Sequence, residues 1–337
     1  MISVVIPLYN KAHTIVKTLN TVMCQTFSDF EVIIVNDGST DNGVEVIKMN
    51  FSDRRIRIIN QENAGVGAAR NRGAEEARGE WLAFLDGDDE WLPSYLQTMV
   101  NAMEQHPQSD IIGCASYYKD LSTGEVSAHA LIDKYKDRSV EINYFINPDK
   151  MTHIGATLLR KSVFFETGGF DTSLRKNEDA LLLGSIAMHR RLVYVGECLH
   201  VYVGGVAGQA TSDMLRLDAD TVNYVEVLNK FYELYEKGGK RNRLVRISIK
   251  YRGRHILLGL IKTGQYKLLS IAFEHFSLSL KRLFAVCMFL CRHRLYKLCV
   301  YYIYFTKLIW RLHGFPRVGA KSRYNDEMVQ RYFSVQP

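Results

Sequence analysis

The sequence predicts an α/β fold: a mostly parallel sheet flanked by helices, continued by a separate helical region at the C-terminus. Three observations predict it. Short β-branched runs alternate with helix-periodic stretches over the first 200 residues. Polar motifs fall directly after those runs, where an open parallel sheet gathers its chemistry beyond the carboxyl ends of the strands. The sign of the charge then reverses along the chain. Residues 1–236 carry 22 Lys and Arg against 33 Asp and Glu, whereas residues 237–313 carry 17 against one, Glu274. At 337 residues, the chain exceeds the usual length of one domain. The expected division is a main domain over 1–212, closed by the loop Gly204–Asp213, and a basic helical region over 213–337.

Strands are expected at Ile2–Ile6, Glu31–Val35, Ile56–Asn60, Trp81–Leu85 and Asp110–Tyr117, and helices from near Lys11, Asp41, Gly67 and Pro93. This is the β-α-β rhythm of a sheet covered on both faces. Pro93 suits the first turn of a helix, where its missing N–H costs nothing. Residues 119–150 read as an irregular polar loop over the site, and from about Met214 the pattern is helical as far as Trp310.

Met1 leads within two residues into an apolar run, without a basic start or small-residue cleavage site. Six scattered cysteines form no C-x-x-C pair. Both features lead us to expect reduced thiols in the cytoplasm. Cys287, Cys291 and His293 are close enough in sequence to consider a metal. Their i,i+4 apolar setting, without four-ligand spacing, favours core packing instead. The net charge is +7, but no nucleic-acid motif accompanies it, so nucleic acid is not an expected partner. The longest uncharged stretches of the basic region, Leu283–Cys291 and Val300–Thr306, fall far short of the roughly twenty residues a spanning helix needs. Amphipathic helices on an anionic membrane surface fit better, which would place the protein peripherally on the inner face of the cytoplasmic membrane. A basic face packed on the acidic first part is the plainer alternative.

Three motifs carry chemistry. Val35-Asn36-Asp37-Gly38-Ser39-Thr40-Asp41 leaves a strand and turns at Gly38, so Asp37 stands at the strand tip, able to accept a nucleobase N–H. Thr40 or Asp41 then caps the next helix. Taken alone, this is also an ordinary strand–turn–helix joint. Phe84-Leu85-Asp86-Gly87-Asp88-Asp89 sets three carboxylates at a strand end, where they repel one another unless something positive lies among them. Asp-x-Asp puts two hard oxygen ligands on one side of an extended segment, the arrangement that holds Mg2+ or Mn2+ with substrate phosphates. A solvated Asp-Gly turn is the competing reading. Gly168-Gly169-Phe170-Asp171 precedes Glu178-Asp179 at the head of an apolar helix. The acidic pair there either complements the helix dipole or supplies a general base.

The joint order of "VVIPLYN", "NDGSTD", "NAGVGAARNRGAEEARGEWLAFLDGDD", "GGFD" and "ED" over roughly residues 1–200 resembles the family 2 glycosyltransferases. The resemblance implies a GT-A fold with a Rossmann-like sheet, and inverting transfer of a sugar from a nucleotide-diphosphate donor to an acceptor hydroxyl. It also implies residue roles. Pro7 and Tyr9 line the nucleotide pocket, Tyr9 stacking on the base; Asp37 pairs with the base imino N–H; Asn63 and Arg70 border the donor. Asp86 and Asp88 form the D-x-D, with Asp88 preferred as the direct ligand of Mn2+ or Mg2+. Asp179 is the base, and Glu178 supports it or touches the acceptor. UDP is the expected nucleotide, although dTDP satisfies the same bond. A saccharide or lipid-linked acceptor follows, as in bacterial surface polysaccharide or glycoconjugate synthesis.

There are departures from the pattern. Asn36 replaces the first acid of D-D-G-S-T-D, and the stretch after Asp179 lacks the usual aromatic and Arg. No His follows Tyr202, leaving His200 as a weak substitute for a third metal ligand. The absence of Q-x-x-R-W favours a single addition over polymer synthesis. Nucleotidyl transfer would require a Gly- and Arg-rich loop where Pro7-Leu8-Tyr9-Asn10 stands. A catalytically silent GT-A scaffold, docking partners or membrane through its basic helices, is the alternative from another class.

Overall fold

The computed structural model describes residues 1–146, 152–206, 217–238, 243–312 and 322–335. The chain forms two compact units. One comprises residues 1–143, 150–212 and 321–337; the other comprises 144–149 and 213–320.

The first unit is built on one mixed sheet. Its strands are β1 (Ile2–Leu8), β2 (Phe30–Asp37), β3 (Ile56–Gln61), β4 (Trp81–Phe84), β5 (Glu90–Trp91), β6 (Ile111–Asp120), β7 (Val126–His129), β8 (Ser139–Ile142), β9 (Thr157–Arg160) and β10 (Leu192–Gly204). The order is β3-β2-β1-β4-β9-β6-β10-β5, with β7 paired to β6 and β8 to β10. The long ladders β1–β2, β2–β3 and β6–β10 are parallel. Antiparallel β9 knits β4 to β6. Strand β2 is buried along nearly its whole length, the continuous apolar run that helices on both faces require.

The connecting helices are α1 (Ile15–Met23), α2 (Gly43–Asn50), α3 (Val66–Glu76), α4 (Tyr95–Gln105), α5 (Lys161–Glu166) and α6 (Glu178–Ala187). The chain turns through Lys11–Thr14 before α1 begins, later than the sequence pattern indicates. Helix α3 is rich in Ala and Gly for a packing reason: at Gly73 a side chain would run into Val5 and Val35 of the sheet beneath. Pro93 lies ahead of Ser94, the N-cap of α4, rather than inside the helix. Asp41 accepts the N–H groups of Ala12 and Gly43, tying the start of α2 to the loop after β1.

Residues 119–146, the described part of the predicted loop 119–150, are not as irregular as their polar composition predicts. β7 hairpins back onto β6, 3-10 turns span Asp133–Tyr135 and Tyr144–Ile146, and β8 pairs antiparallel with β10. Edge strands show one face to water and so read as polar. The region assigned by sequence to 213–337 also loses its last segment to the first unit. The terminal helix Asn325–Ser334 packs on β7, and the Tyr117 hydroxyl donates to the Met328 carbonyl at 2.9 Å. Of the predicted boundary loop Gly204–Asp213, residues 207–213 lie outside the described residues.

The second unit is helical: α7 (Leu217–Lys237), α8 (Arg243–Lys262), α9 (Tyr266–His275), α10 (Leu278–Leu283), α11 (Ala285–Arg292) and α12 (Tyr296–Leu312); the terminal helix of the first unit is α13. α7 packs on α8 and α9, and α12 on α8 and α11. Gly253 of α8 lies against the Phe284 ring. Cys287, Cys291 and Cys299 are buried in this interior, while His293 is exposed, its ring tilted at 55° against that of Phe289. The cysteines therefore serve as core residues.

Candidate active site

The carboxyl ends of β1, β2 and β4 and the N-terminus of α6 carry the polar motifs. After β1, Asn10 takes a left-handed φ of 52°, which Asn tolerates better than most residues. Its Oδ1 accepts from the Thr40 backbone N–H at 2.8 Å, lacing the first loop to the second. Tyr9, just before it, is 48% exposed, and Pro7 is partly buried. The Tyr9 ring therefore stands in solvent, available as a stacking face.

Asp37 ends β2 and is buried. Its Oδ1 accepts from Gln61 Nε2 at 2.7 Å and the Ala64 N–H at 2.9 Å, and its Oδ2 from the Gly65 N–H at 2.9 Å. A carboxylate has about four lone-pair sites, so this one is largely committed to folding the segment that starts α3. Gly38, at φ 70°, lets that segment close: a side chain there would strike the Asn63 backbone nitrogen at 2.8 Å. Asn63 itself is exposed at the tip. Asn36, in place of the usual acid, accepts from the Ser39 N–H and donates to Asn60 Oδ1, roles an acid could fill only in part.

Arg70, in the second turn of α3, joins the motifs. It is buried, with Nη2 2.5 Å from Asp86 Oδ1 and Nη1 2.6 Å from Glu178 Oε1. Its ring neighbour is Phe170, with the guanidinium carbon 5.2 Å from the centroid. Burial works against the charge on Arg70, but Asp86 and Glu178, with Asp179 beyond them, outweigh it and push the pKa up. For Glu178, burial is the largest influence and raises the pKa; Arg70 opposes the rise and Asp179 adds to it. Asp179 is the second residue of α6, half-buried, with Oδ1 accepting from the Ala180 N–H at 2.7 Å. Asn177 enters the helix in the left-handed region at φ 62°.

Each acid of the Asp86–Asp89 run has its own partner. Asp88 Oδ2 lies 2.6 Å from Lys11 Nζ, and Asp86 pairs with Arg70. Asp89 is buried, accepting from the Val203 N–H at 3.0 Å and bonding His200 Nε2 at 3.1 Å. Burial pushes Asp89 up to about 6, with His200 opposing. Thr14 and Thr18 hold the run from below by donating to the carbonyls of Gly87 and Asp89. The positive charge that three adjacent acids require is thus supplied in large part by the chain itself.

These contacts bear on a metal. His200 is no ligand: it is wholly buried, and both ring nitrogens are engaged, by Asp89 and by Ser116 at 3.0 Å. No group of three or more His, Cys, Asp or Glu side chains among the described residues is arranged to hold an ion. Asp86 is 37% exposed, and each of Asp86 and Asp88 keeps one carboxylate oxygen outside its ion pair. Such a donor set suits a Mg2+ or Mn2+ ion bound by one or two carboxylates and completed by substrate phosphates. It does not suit an all-protein cage.

Three contributors escape the sequence reading. Lys11 is the cation on Asp88; its only signal was a basic residue next to Asn10. Asn71 accepts from the Phe170 N–H at 2.8 Å and donates to the Phe170 carbonyl at 2.9 Å, fixing Gly168–Asp171 to α3. The Asp89–His200 pair joins residues 111 positions apart, which no local pattern encodes.

Residues 3–169 match the model of glycosyl transferase family 2. The chain is 30% identical over 218 residues to an uncharacterized glycosyltransferase, EpsJ, of Bacillus subtilis, covering 60% of each chain. It is 36% identical over 140 residues to another, YibD, of Escherichia coli, covering 41% of this chain and 40% of that one. It therefore spans less than two thirds of either relative. Among solved structures, Staphylococcus aureus TarS 1–349 in complex with UDP superposes with a TM-score of 0.55 at 18% identity, over 77% of this chain and 72% of that one. The mannosyltransferase PcManGT of Pyrobaculum calidifontis, in complex with GDP-Man and Mn2+, gives 0.56 at 17% identity, over 90% and 83%. These likenesses show the GT-A fold.

Proposed function

The chain belongs to glycosyl transferase family 2 through its residues 3–169, and from that premise we propose that it transfers a sugar from a nucleotide-diphosphate donor, a UDP-sugar, to an acceptor hydroxyl with inversion. One observation carries the reading. Arg70 draws Asp86, at the tip of β4, and Glu178, at the head of α6, onto one guanidinium. The D-x-D and E-D motifs, some ninety residues apart in sequence, thereby share one edge of the sheet. A helix that neutralised its own dipole and a solvated turn have no reason to meet there.

In this reading Tyr9 and Pro7 line the base, with Asn63 at the rim. Asp37 offers its remaining lone pair to the base imino group while its other bonds hold the loop. Asp88 and Asp86 hold the ion, Mn2+ or Mg2+, which when bound neutralises charge developing on the departing diphosphate. Asp179 takes the proton of the attacking hydroxyl, a contribution on the order of a hundred- to ten-thousand-fold in rate. Glu178, held by Arg70, fixes the first turn of α6 and so aims Asp179. The acceptor is a saccharide or lipid-linked saccharide of bacterial surface polysaccharide or glycoconjugate synthesis.

The test is donor-dependent release of nucleoside diphosphate with Mn2+ present, across a panel of UDP-, dTDP- and GDP-sugars. Asp179→Asn is expected to keep donor binding and lose at least about a hundredfold in turnover. A wild-type protein that binds none of the donors in a thermal-shift screen contradicts the reading. Binding without release, even with acceptors supplied, marks a silent scaffold instead.

A further inference from the structure

The second unit leaves part of its apolar surface in water. Along α12, Leu298 (53% exposed), Tyr301 (69%), Phe305 (61%), Leu308 (51%) and Leu312 (78%) recur at spacings of three and four. At about 100° per residue they fall within an arc of roughly 80°. The inward side of the same helix carries Cys299 and Ile303, both wholly buried. α12 is thus apolar on two opposite faces, and its own unit covers only one. An apolar stripe of this length on a soluble surface marks a contact site.

Charge decides what covers it. Residues 237–313 hold 17 Lys and Arg against Glu274 alone. Several of these cations border the stripe. Lys297 is exposed on the first turn of α12, and Arg292 and Arg294 are exposed at the turn leading into it. Lys262 Nζ bonds the Tyr304 hydroxyl at the edge of the stripe. A second copy docking on this face would bring like charge against like. No helix among the described residues is long and apolar enough to cross a membrane. An anionic lipid surface satisfies both features at once: acyl chains receive the stripe and headgroups receive the cations.

We infer that the outer face of α12 is a membrane-docking surface, on which the second unit lies in the interface of an anionic bilayer. The inference rests on the second unit alone and does not depend on glycosyl transfer.

The experiment is cosedimentation of the full chain with vesicles of phosphatidylcholine, with and without phosphatidylglycerol. Binding is expected only where phosphatidylglycerol is present, falling about tenfold or more between about 0.1 M and 0.5 M NaCl. The double variant Phe305→Glu/Leu308→Glu alters only exposed side chains and is expected to lose about tenfold or more in binding, with its thermal midpoint unchanged. Lys262→Glu/Lys297→Glu leaves the stripe whole and is expected to weaken binding by a similar factor, so the claim does not depend on one variant folding. Wild-type protein that stays in the supernatant with anionic vesicles overturns the inference. So does binding that neither double variant reduces. A lipid-free dimer that Phe305→Glu/Leu308→Glu converts to monomer overturns it too, by giving the face to a second copy.

Discussion

Replacing Arg70 by Met isolates what holds the site together. The substitution keeps most of the side-chain volume and removes the charge from a buried position between Asp86 and Glu178, at 2.5 and 2.6 Å. The two lost ion pairs are unequal. Asp86 is 37% exposed, so water takes over its solvation and the loss is about 1 kcal/mol or less. Glu178 is buried, and breaking a buried pair from one side costs about 3–5 kcal/mol because the other charge is stranded. Protonation of Glu178 limits that cost. Burial already raises its pKa, and Arg70 is the group that holds the rise in check. In the variant the folded pKa climbs further above the unfolded value. The folded chain then binds the proton first, and stability is gained as pH falls through the folded pKa and lost as pH rises through it. A net loss of about 3 kcal/mol at about pH 8 corresponds to a fall of roughly 6–12 °C in the thermal midpoint for a domain of this size, much of it recovered near pH 5. The assay is thermal unfolding of both proteins across that range, with donor turnover measured in parallel. A fall of less than about 2 °C, or one of the same size at both pH values, would refute the assignment of Arg70 as the buried counter-ion of Glu178.

Three further outcomes follow from the same contacts. Asn71→Ala strands the N–H and carbonyl of Phe170 and should cost about 1–3 kcal/mol in denaturant unfolding, with turnover falling further than binding as the segment before α6 loosens; an unchanged unfolding midpoint contradicts this. Asp89, raised to about 6 by burial, gives the folded state extra proton affinity between its ordinary value and 6, so it adds stability as pH falls through that window; Asp89→Asn should flatten this part of the stability profile, and an unaltered profile argues against it. Gly253→Ala should gain up to about 1 kcal/mol of helix propensity but lose about 1–3 kcal/mol to overlap with the buried Phe284 ring, for a net fall in stability of the second unit by calorimetry; net stabilisation would mean that the ring has room to move.

What the sequence determined by itself was set by local chemistry. Buried parallel strands must be apolar throughout, so β1, β2 and β4 stood out as runs such as Val4–Ile6 and Val32–Val35, and their polar ends marked the edge where Asp37 and the Asp86–Asp89 run lie. The glycines were equally legible, since the left-handed φ at Gly38 requires a residue without a side chain. The edge strands β7 and β8 were not, because a strand wetted on one face has a composition close to that of a loop. Nor did charge asymmetry reveal that α13 returns to β6 and β7, a placement made by Tyr117 and Tyr332 across more than two hundred residues. The tertiary structure alone decided the pairing of charges. Sequence showed three crowded acids and the need for positive charge, but Lys11 and Arg70 bring that charge from other elements, and the buried His200 bonds Asp89 from β10. The same strand-end composition could have belonged to a bare turn; which side chains neutralise it depends on distances that only the folded chain creates.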